Sequence, residues 1–311
     1  MSGGPSMWLR HQFYNRLLGS VVPVSWFAPV APRPEELTSV EGEIHLQIVS
    51  HCWQYAHLLL FQLSSLANYP PRNLKLTYTL YYAKEDEAVC ELIKRFDAMH
   101  VPNVTWDWQE LPRTSLFRRA IGRHRSSVSS RADWLWFTDC DLIFHEGCLD
   151  SVAAAVASLK TGLVYPDHEG ITDLLTADHP LLNPTPSIEG LVDVDTSHFY
   201  DNVISKAKGA FQIVHGDVAR QAGYCGSLKL YQQPTDAWRK TFEDVIFRRL
   251  IEYDGEPIPV QGLYRMRHAA KGRYSGDTTI GQVRGQIRQA TDKSNAKLYA
   301  CLLYTSPSPR D

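Results

Sequence analysis

Two aspartates one residue apart, Asp139 and Asp141, stand at the end of the bulky apolar run Trp134–Thr138 in "RADWLWFTDCDLIFHEG". In extended backbone, residues two apart point to the same face, so the two carboxylates aim side by side if the strand geometry continues that far. Adjacent carboxylates repel each other unless positive charge sits near them. A divalent cation or a cationic partner is therefore the chemistry that this spacing asks for. A second acidic pair, Glu243 and Asp244 in "FEDVIFRR", opens a helical pattern, where acids also suit the helix dipole. Near the far end, "YRMRHAAKGR" gathers Arg265, Arg267, Lys271 and Arg273 around His268, a basic patch able to close over phosphates.

The elements around these residues alternate. "IHLQIVSH" reads as a short apolar strand, and "CWQYAHLLLFQLSSLANYP" as a helix ended by Pro70 and Pro71. "LKLTYTLYYA" is strand-like, "EDEAVCELIKRFDAMH" is an amphipathic helix and "VTWDWQEL" is a third strand. A further helix over "SLFRRAIGRHRSSVSSRA" delivers the chain to "WLWFT". Strand and helix in alternation predict an α/β fold with a mostly parallel, doubly wound, Rossmann-like sheet flanked by helices. The paired aspartates then lie at a strand's carboxyl end, where open sheets of this kind bind ligands.

Downstream, "LDSVAAAVASLK" predicts a helix and "TGLVYP" a short strand. The stretch "DHEGITDLLTADHPLLNPTPSIEG" reads as an irregular loop or lid. A second half follows: "GAFQIVHGDVARQAGY" as strand, turn and short helix, "DAWRKTFEDVIFRRLIEYDG" as a helix, and "EPIPVQGLYRMRHAAKGRYSG" as a short strand entering a basic loop.

The chain has 311 residues, 44% hydrophobic and 21% charged, with a formal net charge of -2. That balance gives no sign of a nucleic-acid partner. Cysteines 52, 90, 140, 148 and 225 have no CxxC spacing, which predicts reduced thiols in a cytoplasmic protein rather than a disulfide framework or zinc site. The N-terminal residues 1–42 lack a run long enough to span a membrane and read as an arm packed on the domain, with peripheral membrane association as a further expectation. The C-terminal "CLLYTSPSPRD", Cys301 to Asp311, reads as a translated transposase sequencing adapter, leaving 276–300 as a truncated native segment.

The order "HLQIVSHCW", "GRHRSS", "WLWFTDCDLIF", "GAFQIVHGD", "FEDVIFRR", "RMRHAAKGR" resembles the family 2 glycosyltransferases of GT-A fold, over a domain of residues 43–275. The resemblance implies metal-dependent, inverting transfer from a nucleotide-sugar donor to a hydroxyl of a glycan, a lipid-linked or another acceptor. It implies Mn2+ or Mg2+ on Asp141, with Asp139 beside it nearer the ribose and His268 as a late ligand. Arg123, Arg265 and Lys271 would serve the base or diphosphate, and His51 stands in the turn after the first strand. Asp244 would be the general base, with Glu243 next to it. The sequence departs from the family at His124, where an Asn is usual, at "SHCW" after the first strand and at "YYAKED" after the second.

Two other readings compete. Haloacid-dehalogenase-type phosphatases also end an apolar strand with Asp-x-Asp, but near the start of the domain and with a downstream acidic pair that "GDVARQ" lacks. A catalytically inactive GT-A domain that binds carbohydrate or acts as a scaffold is the other; intact Asp139, Asp141, Asp244 and His268 argue against it.

Overall fold

Strands covered by helices on both faces must be apolar on both faces, and β1 (Ile44–His51) and β4 (Trp134–Phe137) meet that demand: all of β4 and seven of the eight residues of β1 are buried. The computed structural model describes residues 23–268 apart from 27, 41, 177, 185, 189 and 237–241. With β2 (Leu74–Tyr82), β3 (Val104–Glu110), β6 (Leu163–Pro166), β9 (Gln212–His215) and β10 (Glu256–Ile258), these strands form a seven-stranded sheet in the order β10-β6-β9-β4-β1-β2-β3. All neighbours are parallel except at β9, which runs antiparallel to β4 and β6.

The helices follow from the same patterning. In α2 (Glu87–Asp97), Val89, Leu92, Ile93 and Phe96 form the buried stripe, Asp86 caps the start by accepting from Val89 N–H, and Lys94 and Arg95 sit in the last turn. α1 (Ala56–Asn68) precedes it and packs on it. After β3 the expected single helix is two: a turn, α3 (Arg113–Leu116), then α4 (Arg119–Ser129). α4 approaches the sheet so closely at Gly122 that a Cβ there would collide with the rings of His51 and Tyr81. α5 (Cys148–Val156), α6 (Gly216–Ala222), α7 (Lys229–Gln232) and α8 (Glu243–Ile251) complete the described helices.

The segment after β6 differs from expectation. The residues expected as an irregular loop begin with a strand, β7 (His168–Ile171), and β7 joins β5 (Leu142–Phe144), β8 (Tyr200–Val203) and β11 (Leu263–Arg265) in a second sheet of order β5-β11-β7-β8. Strands of three or four residues are too short to show periodicity in sequence, so only their pairing reveals them. In the arm, Val24, Ala28 and Leu37 enter the core, Pro32 C=O accepts from Tyr253 Oη at 2.7 Å and Thr38 N–H donates to Asp217 at 2.8 Å.

Candidate active site

Chain order in the large sheet reverses beside β1: β2 and β3 extend it one way, and the chain then crosses back to add β4 on β1's other edge. The crevice beyond the carboxyl ends of two such strands is where open α/β sheets take ligands. β1 pairs with β4 up to Val49↔Phe137, and Thr138 N–H still donates to Val49 C=O at 3.0 Å. Beyond that last pair, His51 lies within the field of Asp139 and Cys52 meets Cys140.

The paired aspartates occupy a tight turn between β4 and β5, in which Leu142 N–H reaches Asp139 C=O at 3.4 Å. The turn is held from α1 by Gln62, whose Nε2 donates to Asp139 C=O at 3.0 Å and Leu142 C=O at 2.9 Å. Tyr78 Oη donates to Gln62 Oε1 at 2.5 Å and so fixes which end of the amide faces the turn. Ser65 adds a third hold, its Oγ accepting from Phe144 N–H at 3.0 Å. Gln62 and Tyr78 are fully buried. Neither was legible in the sequence, because a Gln inside an apolar helix carries no local sign of its distant partner.

Positive charge comes from α4. Arg119 forms a short ion pair with Asp139, and Arg123 Nη2 lies 3.7 Å from the same carboxylate oxygen. Burial works against the charge on Arg119, but the carboxylates of Asp139 and Glu243 outweigh it and raise its pKa. The two arginines are four residues apart, one helical turn, so both face the strand end; that spacing was the signal available for Arg119. Arg123 is buried between aromatic rings, with its guanidinium carbon 5.6 Å from the Phe137 centroid and 5.2 Å from that of Tyr224, and Nη1 donates to Tyr224 Oη at 2.8 Å. His124 lies elsewhere: its Nδ1 accepts from Tyr224 N–H at 3.3 Å, against Gly223 and Gly226.

His51 is buried and stacked on Tyr81, with ring centroids 5.0 Å apart. Burial first, then the charges of Arg123 and Arg119, hold its pKa well below the usual imidazole value. The ring is therefore neutral, with one donor and one acceptor nitrogen, and neither has a hydrogen-bond partner among the described residues. Cys52 and Cys140 are free thiols in mutual contact; that hydrogen bond and burial push the Cys140 pKa well up.

On the second-sheet side, β11 runs antiparallel to β5 with Arg265 opposite Leu142, the residue after Asp141. Arg265 Nη2 donates to Glu169 Oε1 at 2.6 Å, and its guanidinium carbon lies 5.4 Å from the Phe211 ring. Glu169 is buried and its pKa is raised, by burial first, with Asp141 adding to the effect and Arg265 opposing it. This carboxylate was missed in the sequence, where it falls in the stretch read as loop.

Glu243 and Asp244 begin α8 with different partners. Glu243 is buried; Oε2 accepts from Ala120 N–H at 3.2 Å and Oε1 lies 3.8 Å from Arg118 Nη1, so it anchors the start of α4. Asp244 Oδ2 accepts from Gly209 N–H at 2.9 Å, and Gly209 C=O lies 3.5 Å from Arg123 Nη2. One residue, Gly209, and one guanidinium thus link Asp244 to Asp139. Asp193 and Asp195 are engaged locally: Asp193 accepts from Tyr69 Oη at 2.5 Å, and Asp195 accepts from Ser197 N–H at 2.9 Å.

His268 is buried, edge-on to Tyr55 with centroids 5.2 Å apart, and forms a bridge with Leu175. Among the described residues no three His, Cys, Asp or Glu side chains gather as a metal cage, so Asp139, Asp141 and His268 do not form one cluster. Lys271 and Arg273 lie outside the described residues. Among the described residues no helix is long and apolar enough to cross a membrane.

No family model matches the chain, and no curated protein matches it. Among solved structures, the chain is similar to S. aureus TarS 1–349 in complex with UDP-GlcNAc, at 8% identity and a TM-score of 0.44 over 76% of this chain and 62% of that one. It is also similar to the mannosyltransferase PcManGT from Pyrobaculum calidifontis in complex with GDP-Man and Mn2+, at 12% identity and a TM-score of 0.42 over 98% of this chain and 73% of that one. The chain spans 38% of TarS 1–349 in its complex with UDP and 58% of TarS 1–349 alone, less than two thirds of either.

Proposed function

We propose that this protein transfers a sugar from a nucleotide-diphosphate donor to an acceptor hydroxyl, with inversion at the anomeric carbon and with the help of Mn2+ or Mg2+. The observation that carries the reading is the Asp139–Leu142 turn at the switch point between β1 and β4, backed by Arg119 and Arg123. An anionic donor needs cationic compensation at that crevice, and the two guanidiniums together with a cation supply it.

The residues fit a cation that the donor's own oxygens complete. Mn2+ and Mg2+ take hard oxygen ligands, and Mg2+ is commonly held by one or two carboxylates plus substrate phosphates rather than by an all-protein cage. Asp141 would hold the ion, with Asp139 fixed in the same turn by Arg119. When bound, the ion neutralises the departing diphosphate. Neutral His51, buried at the end of β1 against α4, supports the nucleotide crevice from behind Arg119 and Arg123. Asp244 takes the proton of the attacking hydroxyl, and Gly209 N–H orients its carboxylate. Glu243 positions α4 through Ala120 and Arg118. Arg265, opposite Leu142 on β11, stands on the diphosphate side.

The test is release of nucleoside diphosphate from UDP-, GDP-, CDP- and dTDP-sugars with manganese. One nucleotide class should turn over, and excess EDTA should stop it. No release from any class, or release indifferent to EDTA, rejects the reading.

A further inference from the structure

The corner of residues 223–226 that follows α6 sits between α4 and α8 and holds both. From α4, Arg123 Nη1 donates to Tyr224 Oη at 2.8 Å, and His124 Nδ1 accepts from Tyr224 N–H at 3.3 Å. Gly223 and Gly226 give the His124 ring its room, because a Cβ on either would collide with it. On the α8 side, the Tyr224 ring stacks on Phe247 with centroids 4.4 Å apart, and Cys225 Sγ donates to Glu243 C=O at 3.5 Å.

The Tyr224 hydroxyl carries a chain of hydrogen bonds with one possible direction. An arginine only donates, so the Tyr224 oxygen accepts from Arg123 and its single proton goes to Gln212 Oε1, 3.1 Å away. That sets the sense of the Gln212 amide, whose Nε2 donates to Asp244 C=O at 3.0 Å and to Ala207 C=O at 3.4 Å. Arg123, Tyr224 and Gln212 are all fully buried, so water offers no substitute partner, and each bond strengthens the next in a medium of low polarity. Asp244 is held at two points. Gln212 fixes its main chain, and Gly209 N–H, two residues after Ala207, fixes its carboxylate. Without the hydroxyl, nothing sets which end of the Gln212 amide faces α8, and both the main chain of Asp244 and the loop that carries Gly209 lose a hold.

We infer that Tyr224 is a positioning residue whose hydroxyl, acting through Gln212, sets where the Asp244 carboxylate stands. That this alignment serves proton abstraction rests on the transferase reading; that Tyr224 fixes the carboxylate does not.

The experiment is amide hydrogen exchange on the full chain, followed by NMR, in Tyr224→Phe, Gln212→Met and the double variant. Tyr224→Phe removes the hydroxyl and keeps the ring on Phe247. Gly209 N–H, which donates to Asp244 Oδ2, reports the place of the carboxylate. It should exchange about threefold to tenfold faster in each single variant, the effect of one lost buried hydrogen bond. In the double variant it should exchange no faster than in Gln212→Met alone, because the hydroxyl acts through the amide, whereas independent packing losses multiply. Where a nucleotide-sugar is turned over, kcat should fall about tenfold in Tyr224→Phe, since a displaced base no longer meets its hydroxyl, and the affinity for the nucleoside diphosphate with manganese should stay within about twofold. Unchanged Gly209 exchange in Tyr224→Phe, or multiplied rates in the double variant, overturns the inference. Faster, non-multiplying exchange with kcat unmoved, or with no nucleotide-sugar turned over, leaves Tyr224 as the positioning residue and removes the transferase role of Asp244.

Discussion

The two aspartates of the turn are not equivalent. Asp139 is tied to Arg119 and Arg123 and serves as much to hold the turn as to meet a ligand, whereas Asp141 lies on the side of Glu169 and Arg265. Asp141→Asn removes one of several crowded carboxylates, so the protein should stay folded while manganese-dependent nucleotide binding and turnover are lost. Calorimetry with and without the ion checks this, and full activity in the variant would reject Asp141 as the metal ligand. Asp244→Asn separates binding from chemistry. An amide can still accept from Gly209 N–H but cannot take a proton, so kcat should fall by roughly a hundred- to ten-thousand-fold with donor affinity nearly intact. Equal losses in kcat and donor affinity would mean that Asp244 is not the base.

At the scale of elements, the turn is positioned by helices that contribute nothing to it in sequence. Gln62 reaches it from α1, Arg119 and Arg123 from α4, and Glu243 fixes α4 from α8. Gln62→Met keeps the volume but takes a donor from the carbonyls of Asp139 and Leu142, of which Asp139 C=O keeps Leu142 N–H and Thr138 Oγ1. A buried carbonyl that loses its donor costs about 1–3 kcal/mol. Urea unfolding should show that loss, and manganese-dependent nucleotide binding should weaken with it because the turn is no longer clamped. A stability loss with unaltered nucleotide binding would assign Gln62 a packing role alone.

For the whole molecule, burial sets the response to acid. His51 has a folded pKa well below the unfolded value of 6.5. Below pH 6.5 the unfolded chain takes a proton there that the folded chain refuses, so stability falls as pH drops, by about 1.4 kcal/mol per pH unit until the folded pKa is reached. His45, His57, His124 and His215, also lowered with burial as the first cause, act in the same direction. Urea midpoints should therefore decline from pH 7 to 5.5, and His51→Phe should flatten part of that slope. An identical slope in the variant would show that His51 titrates normally in the folded protein.

The sequence by itself determined the alternation of β1, α1, β2, α2 and β3, the apolar β4, and Asp139 and Asp141 at its carboxyl end. Those signals are local, carried by apolar runs and helical spacing over a few neighbouring residues. It also put Glu243 and Asp244 at a helix start, because acids there obey a local rule. Only the tertiary structure decided which arginine meets Asp139, that Gln62 clamps the turn, that Glu169 is buried beside Asp141, and that strands of three or four residues assemble a second sheet. Each of those depends on partners far apart in the chain, such as Gln62 and Leu142 or Glu169 and Arg265, brought together by the burial of the whole core.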